Sequence, residues 1–474
     1  MSSKNYDDKL SLDYLFHPSS IAIAGVSTDT TTKIASGRVF LESLIDAGFK
    51  GKIYPISRSR GEILGLKIYP SIRHIPDTVD YVISAIPAQD TSQLIVDCAS
   101  KEVKAIHMFT AGFSEIADKE GEQLESEITT IAQQRGVRII GPNCMGLYCP
   151  KTGLAFHPDL PKESGNIGFI SQSGGNSIYL VREAGTKGIY FSKVISYGNA
   201  CDLNEADFLQ YLTHDPETKV IAVYIEGVKN GAHFIDALKQ ATKAKPVIVY
   251  KGGTTESGTR AVASHTGAIA GSNRVWDSLL KQAGAIQVDS MEELLDILSL
   301  FRYMPPPKGR ATAIIGIGGG NSVQAADACS NAGLTVPLLP PEIRSRLKRV
   351  YASEVGASFR NPVDMYFVRW NLLQETIKVV ADCDQIDLLI IHITLGFNPR
   401  YEVRLIKPYI GLFTGLSKKI NKPTAIVLQP FGLAKWAPTT SEAETALYKA
   451  GFPVYPSVGQ TAKAIAKFIE YHRQ

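Results

Sequence analysis

A short apolar run, a Gly-containing turn and an amphipathic segment recur many times along this chain, and that repeat leaves few folds open. The runs 21–26, 79–86, 105–110, 167–170, 220–225, 247–250, 313–317, 388–394 and 424–428 are rich in Ile and Val. They alternate little, as strands covered on both faces do. The segments between them read as helices. In 38–47, Val39, Leu41, Leu44 and Ile45 fall toward one side, and Gly48 follows as a stop. Such alternation predicts doubly wound parallel sheets, an α/β fold.

Two breaks divide the repeat. Pro150, Pro158 and Pro161 interrupt the segment 148–163, and Met304-Pro-Pro-Pro-Lys-Gly309 cannot continue a helix. The blocks 1–150, 151–304 and 308–474 then match the three domains expected of 474 residues at roughly 150 residues each. The turns Ile170-Ser-Gln-Ser-Gly-Gly-Asn-Ser177 and Ile315-Gly-Ile-Gly-Gly-Gly-Asn-Ser322 echo one another, which suggests two sheets of one architecture.

Charge excludes some functions. Lys and Arg number 50 against 46 Asp and Glu, with no run of five like charges, so neither nucleic acid nor a membrane surface is expected as partner. No apolar run approaches the roughly 18 residues of a span, and the polar start shows no signal pattern. The six Cys (98, 144, 149, 201, 329, 383) have no zinc spacing, so reduced thiols in a cytoplasmic protein and no metal site are expected.

Five turns offer chemistry. Gly25 closes the first run and leads through Ser27 toward Lys33, a loop that suits a phosphate or is a plain βα turn. The turns at Tyr54–Arg58, Ala85–Ala88 and Phe109–Glu115 fall at the strand ends where open α/β sheets bind ligands. Arg58 and Arg60 stand where an acidic ribose ligand would be expected, which suits an extra phosphate better than NAD. In Gly141-Pro-Asn143, Asn143 can donate to a carbonyl or phosphate oxygen, or cap backbone. Ser171, Gln172, Ser173 and Gly174 open a helix and form an oxyanion-binding arrangement. His265 lies among small residues, between Ser264 and Thr266-Gly267, as a phosphoryl acceptor would, or as a structural His. Glu226 ends an apolar run, either to orient an imidazole or to meet solvent.

In this order the motifs resemble the α subunit of ADP-forming (NDP-forming) acyl-CoA synthetases, relatives of succinyl-CoA synthetase. The resemblance runs from about Leu15 to the C-terminus. It rests on Lys52-Ile-Tyr-Pro-Ile, Glu62-Ile-Leu-Gly-Leu-Lys-Ile-Tyr-Pro70, Ala111-Gly-Phe-Ser-Glu115, Gly141-Pro-Asn143 and Ile170-Ser-Gln-Ser-Gly174. It continues through Asp215-Pro-Glu-Thr-Lys-Val220, Glu226-Gly227, Ser264-His-Thr-Gly267, Ala325-Ala-Asp-Ala328 and Asn361-Pro-Val-Asp364.

The resemblance implies a Rossmann-like CoA-binding domain followed by two flavodoxin-like domains. It implies that acyl-CoA and phosphate give an acyl phosphate, whose phosphoryl group passes to a histidine and on to ADP, reversibly. His265 matches that histidine and Glu226 its supporting carboxylate. CoA contacts fall on Gly25, Ser27, Pro55, Arg58, Ile86, Phe109, Thr110 and Ala111. Asn143, Ser171, Gln172, Ser173 and Gly174 match positions lining the acyl-phosphate site.

No block is left over for the ATP-grasp nucleotide module. A separate β subunit is therefore expected to hold ADP or ATP with Mg2+, in an α2β2 assembly or with an α dimer. The loop 27–33 lacks the arginine and first glycines of the family. Gly175 stands where Ala is usual, and the surroundings of Asn361 are bulkier, which would shift acyl preference. Competing readings are a CoA or acyl-CoA sensor without turnover, and an NAD-dependent oxidoreductase.

Overall fold

The computed structural model describes residues 12–28, 37–266, 273–316, 318–351, 358–365, 370–395, 410–416, 419–430 and 437–473. Three sheets hold the strands, apart from one short hairpin, Glu62–Ile63 with Leu66–Lys67.

The first sheet is wholly parallel, in the spatial order Lys52–Ile56, Ser20–Ala24, Tyr81–Ser84, Ala105–Met108, Arg138–Ile140. The second runs Ile286–Val288, Val247–Lys251, Val220–Ile225, Ile167–Ser171, Phe191–Ser196, and ends on Gly146–Tyr148, its one antiparallel strand. The third begins with the antiparallel edge Ser358–Phe359, then Val363–Asp364, Thr312–Gly316, Leu388–Leu395, Thr424–Pro430, Val454–Tyr455.

Without the antiparallel edges, every sheet has the chain order 2-1-3-4-5. In each, the path reverses beside the first strand, and ligands of doubly wound folds bind at that switch point. Gly25, Ser171–Gly174 and the turn before helix Gly319–Asn331 therefore occupy equivalent places. This equivalence accounts for the echo between the second and third sheets.

The nine apolar runs all contain strands, and the central ones are buried along their length: Ser20–Ala24, Ile167–Ser171, Val220–Ile225 and Thr312–Gly316 expose nothing. The helix after the first strand, Gly37–Asp46, differs from expectation. It buries Phe40, Leu41 and Leu44, while Ile45 is 45% exposed. Spacing of three and four from Gly37 selects that face, and Ile45 falls one position outside it.

Contacts divide the chain into two units: residues 1–185 with 190–291, and residues 186–189 with 292–474. The first unit contains the first two sheets. Its strand Gly146–Tyr148 pairs with Phe191–Ser196, so the chain has entered the second sheet before Pro150. Arg138 grips Asp202 through two nitrogens at 2.9 and 3.1 Å, and Asp202 also accepts from the Ile139 amide at 2.8 Å. Lys193 is buried between Asp215 and Glu217, at 3.0 and 2.8 Å, with Phe16 and Tyr211 over its ammonium. Asp215 also takes the Thr218 hydroxyl at 2.6 Å. The Asp215–Val220 motif is thus a structural clamp. Its buried cation is paired twice, as burial of a charge requires.

In the second unit, helix Met291–Tyr303 meets helix Val458–Arg473 through Phe301 and Phe468, edge to face at 5.0 Å. Asn361, at φ +116° just before Pro362, spends its whole amide on backbone. It donates to Thr312 O and Pro337 O and accepts from Ile314 N, at 2.9, 2.9 and 3.0 Å. Asp364 accepts from Gly318 N at 2.8 Å. The Asn361–Asp364 motif therefore fixes the edge of the third sheet. Residues 352–357 and 366–369, which include Tyr366 and Phe367 of the bulky flank, lie outside the described residues. No helix among the described residues is long and apolar enough to cross a membrane.

Candidate active site

The carboxyl edge of the first sheet is built by close backbone approach. Gly25 has φ +93°, and a Cβ on it would sit 2.4 Å from Ala85 O. Any other residue would force the first and third loops apart. The Gly25 and Val26 amides both donate to Ile56 O at 3.1 Å, and Phe109 N donates to Ser84 O at 3.0 Å. These ties hold four strand-end loops around one cavity of about 1110 Å³.

Gly25, Ser27, Arg58, Ile86, Phe109, Thr110 and Ala111 all line this cavity, and so does Asn143. Pro55 does not. It lies within the strand Lys52–Ile56, and its carbonyl accepts from Tyr69 N at 2.9 Å. One stretch of the wall was not foreseen: Gln89, Asp90, Gln93 and Asp97, from the turn and helix after the third strand. Arg58 is almost fully exposed and reaches Asp90 at 3.5 Å. Residues 29–36, including Lys33, lie outside the described residues.

Asn143 connects this cavity to the second sheet. It has φ +56°, follows a cis Gly141–Pro142 bond, and donates its amide N–H to Thr110 O at 2.9 Å. Two residues on, Met145 N donates to Ser196 Oγ at 3.0 Å. The Met145 Cγ would lie 2.8 Å from a Cβ on Gly174, so Gly174 lets the helix Gly174–Thr186 start against this loop.

The loop also hangs on His107. This ring is buried in the first sheet, and its Nε2–H donates to Cys144 O at 2.9 Å. Burial pulls the imidazole pKa down to about 4, against the bond to Cys144. The folded state therefore holds His107 neutral while the unfolded chain protonates near 6.5. A lowered folded pKa gives stability that is complete above pH 6.5 and is lost as pH falls toward 4. The loss amounts to up to about 3 kcal/mol. Thermal unfolding between pH 7.5 and 4.5 should show a steeper fall in Tm for the native chain than for His107→Gln, which still donates to Cys144 O. Equal slopes would contradict this role.

At the second sheet, Gln172 is the organising side chain. Its Oε1 accepts from Glu226 N and Gly227 N at 2.7 and 3.2 Å. The backbone N–H of Gln172 donates to Tyr224 O at 3.1 Å. The Ser171 hydroxyl donates to Ser173 O at 2.7 Å, and Ser173 Oγ accepts from Asn176 N at 3.3 Å. Ser171 and Ser173 thus shape the turn, while Gly174 begins the helix.

Glu226 is 5% exposed, and its Oε1 accepts the Tyr224 hydroxyl at 3.0 Å. Sequence reasoning did not foresee this tyrosine. Burial and the neighbouring Glu226 carboxylate push the Tyr224 hydroxyl pKa up, so it stays a donor. Lys251, also buried, has its pKa lowered by burial and raised in part by Glu226.

His265 belongs to the helix Glu256–Thr266, which packs against the turn Ser114–Ile116. The His265 side chain and residues 267–272 lie outside what the structure describes. Among the described residues, no group of three His, Cys, Asp or Glu is assembled for a metal.

Residues 19–150 match the family model of a CoA binding domain, and residues 164–301 that of a succinyl-CoA ligase like flavodoxin domain. The chain is 34% identical, over 97% of both lengths, to the alpha subunit of ADP-forming acetate–CoA ligase II of Pyrococcus furiosus. It is 33% identical to ADP-forming acetate–CoA ligase II of Archaeoglobus fulgidus over 97% of its own length and 67% of that protein. Among solved structures, it resembles the dinucleotide forming acetyl-coenzyme A synthetase 1 of Ca. Korarchaeum cryptofilum, solved with phosphate and ADP. There the TM-score is 0.82 at 32% identity, covering 98% of this chain and 97% of that one.

Proposed function

The chain belongs to the family of ADP-forming acyl-CoA ligases, and we propose that it divides their reaction between its first two sheets. It is an α-type ligase chain, with a CoA-binding domain and a succinyl-CoA-ligase-like flavodoxin domain. The overall conversion is acyl-CoA, phosphate and ADP to acid, CoA and ATP, and it is reversible. This reading stands above a sensor without turnover, because the relatives over nearly the whole chain are ligases.

CoA occupies the cavity at the carboxyl edge of the first sheet. The volume suits so large a ligand, and Gly25 leaves backbone exposed where a diphosphate can approach. The thioester end reaches Asn143. That is the observation supporting the scheme: Asn143 lines the CoA cavity, and Met145, two residues on, packs against the start of the Gly174 helix.

A phosphate oxygen attacks the thioester carbonyl there. The developing oxyanion meets Asn143 and the N-terminal end of helix Gly174–Thr186. The C–S bond breaks, CoA leaves as thiolate and takes up a proton, and an acyl phosphate remains. An imidazole nitrogen of His265 then attacks phosphorus and the carboxylate leaves. Glu226 takes the hydrogen bond of the other ring nitrogen. Transfer of the phosphoryl group to the β-phosphate oxygen of ADP frees the imidazole.

An ATP-grasp β partner holds ADP with Mg2+, in an α2β2 or α-dimeric assembly. Some relatives carry extra length, as the Archaeoglobus protein does. The three-block division 1–150, 151–304 and 308–474 and a cytoplasmic location belong to the same proposal.

The test is ADP phosphorylation by this chain with its ATP-grasp partner, over a panel of acyl-CoAs beginning with acetyl-CoA. ATP should form only with thioester and phosphate together, and one CoA should be released per ATP. Failure across the panel would overturn the ligase reading for this pair.

A further inference from the structure

We propose that Asn199 is a positioning residue for the CoA site, an inference that rests on the reading of the cavity given above. Asn199 is 3% exposed and sits just past the strand Phe191–Ser196 of the second sheet. Its Nδ2 donates to Glu115 Oε2 at 2.5 Å and to Glu125 Oε2 at 3.0 Å. With the amide turned over, its oxygen would face both carboxylates, so chemistry fixes the amino end toward them.

Each end of this contact leads to a wall of the cavity. Glu115 Oε1 accepts from Gly112 N and Phe113 N at 2.5 and 3.2 Å. Those amides directly follow Ala111, which lines the cavity. Gly112 has φ +106°, which glycine adopts freely, and the Glu115 bonds hold the loop in that turn. On the other side, Asn199 N donates to Pro142 O and Cys201 N to Gly141 O, both at 3.0 Å. A Cβ on Gly198 would lie 2.1 Å from Pro142 O, so the two loops are in direct contact. Asn143, the next residue, lines the cavity too.

One side chain of the second sheet therefore sets the distance between the Ala111 wall and the Asn143 wall. It does so by sharing an N–H pair between two buried carboxylates that would otherwise repel. Glu125 has Ser114 Oγ at 2.6 Å and Lys229 at 3.0 Å besides, whereas Glu115 relies on Asn199 for its only side-chain donor among the described residues.

The experiment measures the CoA dissociation constant by calorimetry on the full chain. Asn199→Asp keeps the shape and removes the donor. It should weaken CoA about tenfold or more through misplacement of both walls. Adding Glu115→Gln supplies an N–H to the carboxylate introduced at this position, leaves an oxygen to accept from Gly112 N and Phe113 N, and should return affinity to within about threefold of the native chain. A residue that merely supports folding would not be rescued by that exchange. Asn199→Ala, which adds no charge, gives the same reading should Asn199→Asp fail to fold, and it too should bind about tenfold more weakly. Native affinity in either single variant, or a weakened Asn199→Asp that Glu115→Gln leaves unrescued, overturns the inference alone. A native chain that does not bind CoA overturns the cavity reading, and the inference with it.

Discussion

His265→Ala should abolish the acid-labile phosphate that the native chain takes up from acyl-CoA and phosphate, and lower ADP-forming turnover by at least about 10^4-fold. The size follows from the role proposed. A nucleophile that holds the transferred group has no substitute, since water or a neighbouring hydroxyl gives hydrolysis rather than transfer. The partial reactions separate this from general damage. CoA binding should persist, because every described wall of the cavity belongs to other residues. Release of CoA from acyl-CoA by phosphate should persist as well, since Asn143 and the Gly174 helix start do that work in the proposed scheme. The backbone of His265 lies in helix Glu256–Thr266, so Ala, the best helix former, should not disturb the fold. Rapid quench with radiolabelled phosphate reads the phosphoenzyme, the acyl phosphate and ATP, and calorimetry reads CoA binding. A stable phosphoenzyme in the variant would sink the assignment.

Much of the fold was legible because parallel strands buried on both faces must be apolar throughout. Runs such as 220–225 and 388–394 have no other comfortable place to go. The turns were legible for a related reason. At a switch point two loops separate, and small residues such as Gly25 and Gly174 let the neighbouring loops approach closely there. What stayed hidden depended on pairing between distant segments. The strand Gly146–Tyr148 is three residues long and antiparallel, with no pattern of its own to mark it. Pro55 looked like a turn residue because Pro-Ile-Ser-Arg follows Tyr54, yet it is a strand position with its carbonyl engaged. The wall of Gln89, Asp90, Gln93 and Asp97 is an ordinary polar helix face by sequence, and only the fold aims it at the cavity. Asn199 and Tyr224 were missed alike. Their partners, Glu115 and Glu226, were visible as motif carboxylates, but the Asn199–Glu115 bond spans 84 residues and leaves no local trace, while Tyr224 lies in an apolar run and shows its donor role only once the strand puts it on the same face as Glu226.

Glu226→Gln should slow phosphoenzyme formation by about 10^2 to 10^3-fold and leave CoA affinity unchanged. When an imidazole nitrogen bonds to phosphorus, the ring becomes cationic unless its second nitrogen gives up or shares its proton. A carboxylate meets that need and an amide does not. The site makes this substitution unusually clean. The Glu226 backbone is held by Gln172 Oε1 on its own and the following amide, and these bonds do not involve the carboxyl group. The Tyr224 hydroxyl, now donating to Oε1 at 3.0 Å, can donate equally to the Gln oxygen. Shape and local bonding therefore survive while the charge goes. Tyr224→Phe is the complementary change: it keeps the charge and removes a donor, and should cost about tenfold, as loss of one hydrogen bond to a charged group does. The order of the two effects is the discriminating result. If Tyr224→Phe costs more than Glu226→Gln, the carboxylate serves the fold of the strand end and not the imidazole, and the charge-pairing role assigned to Glu226 fails.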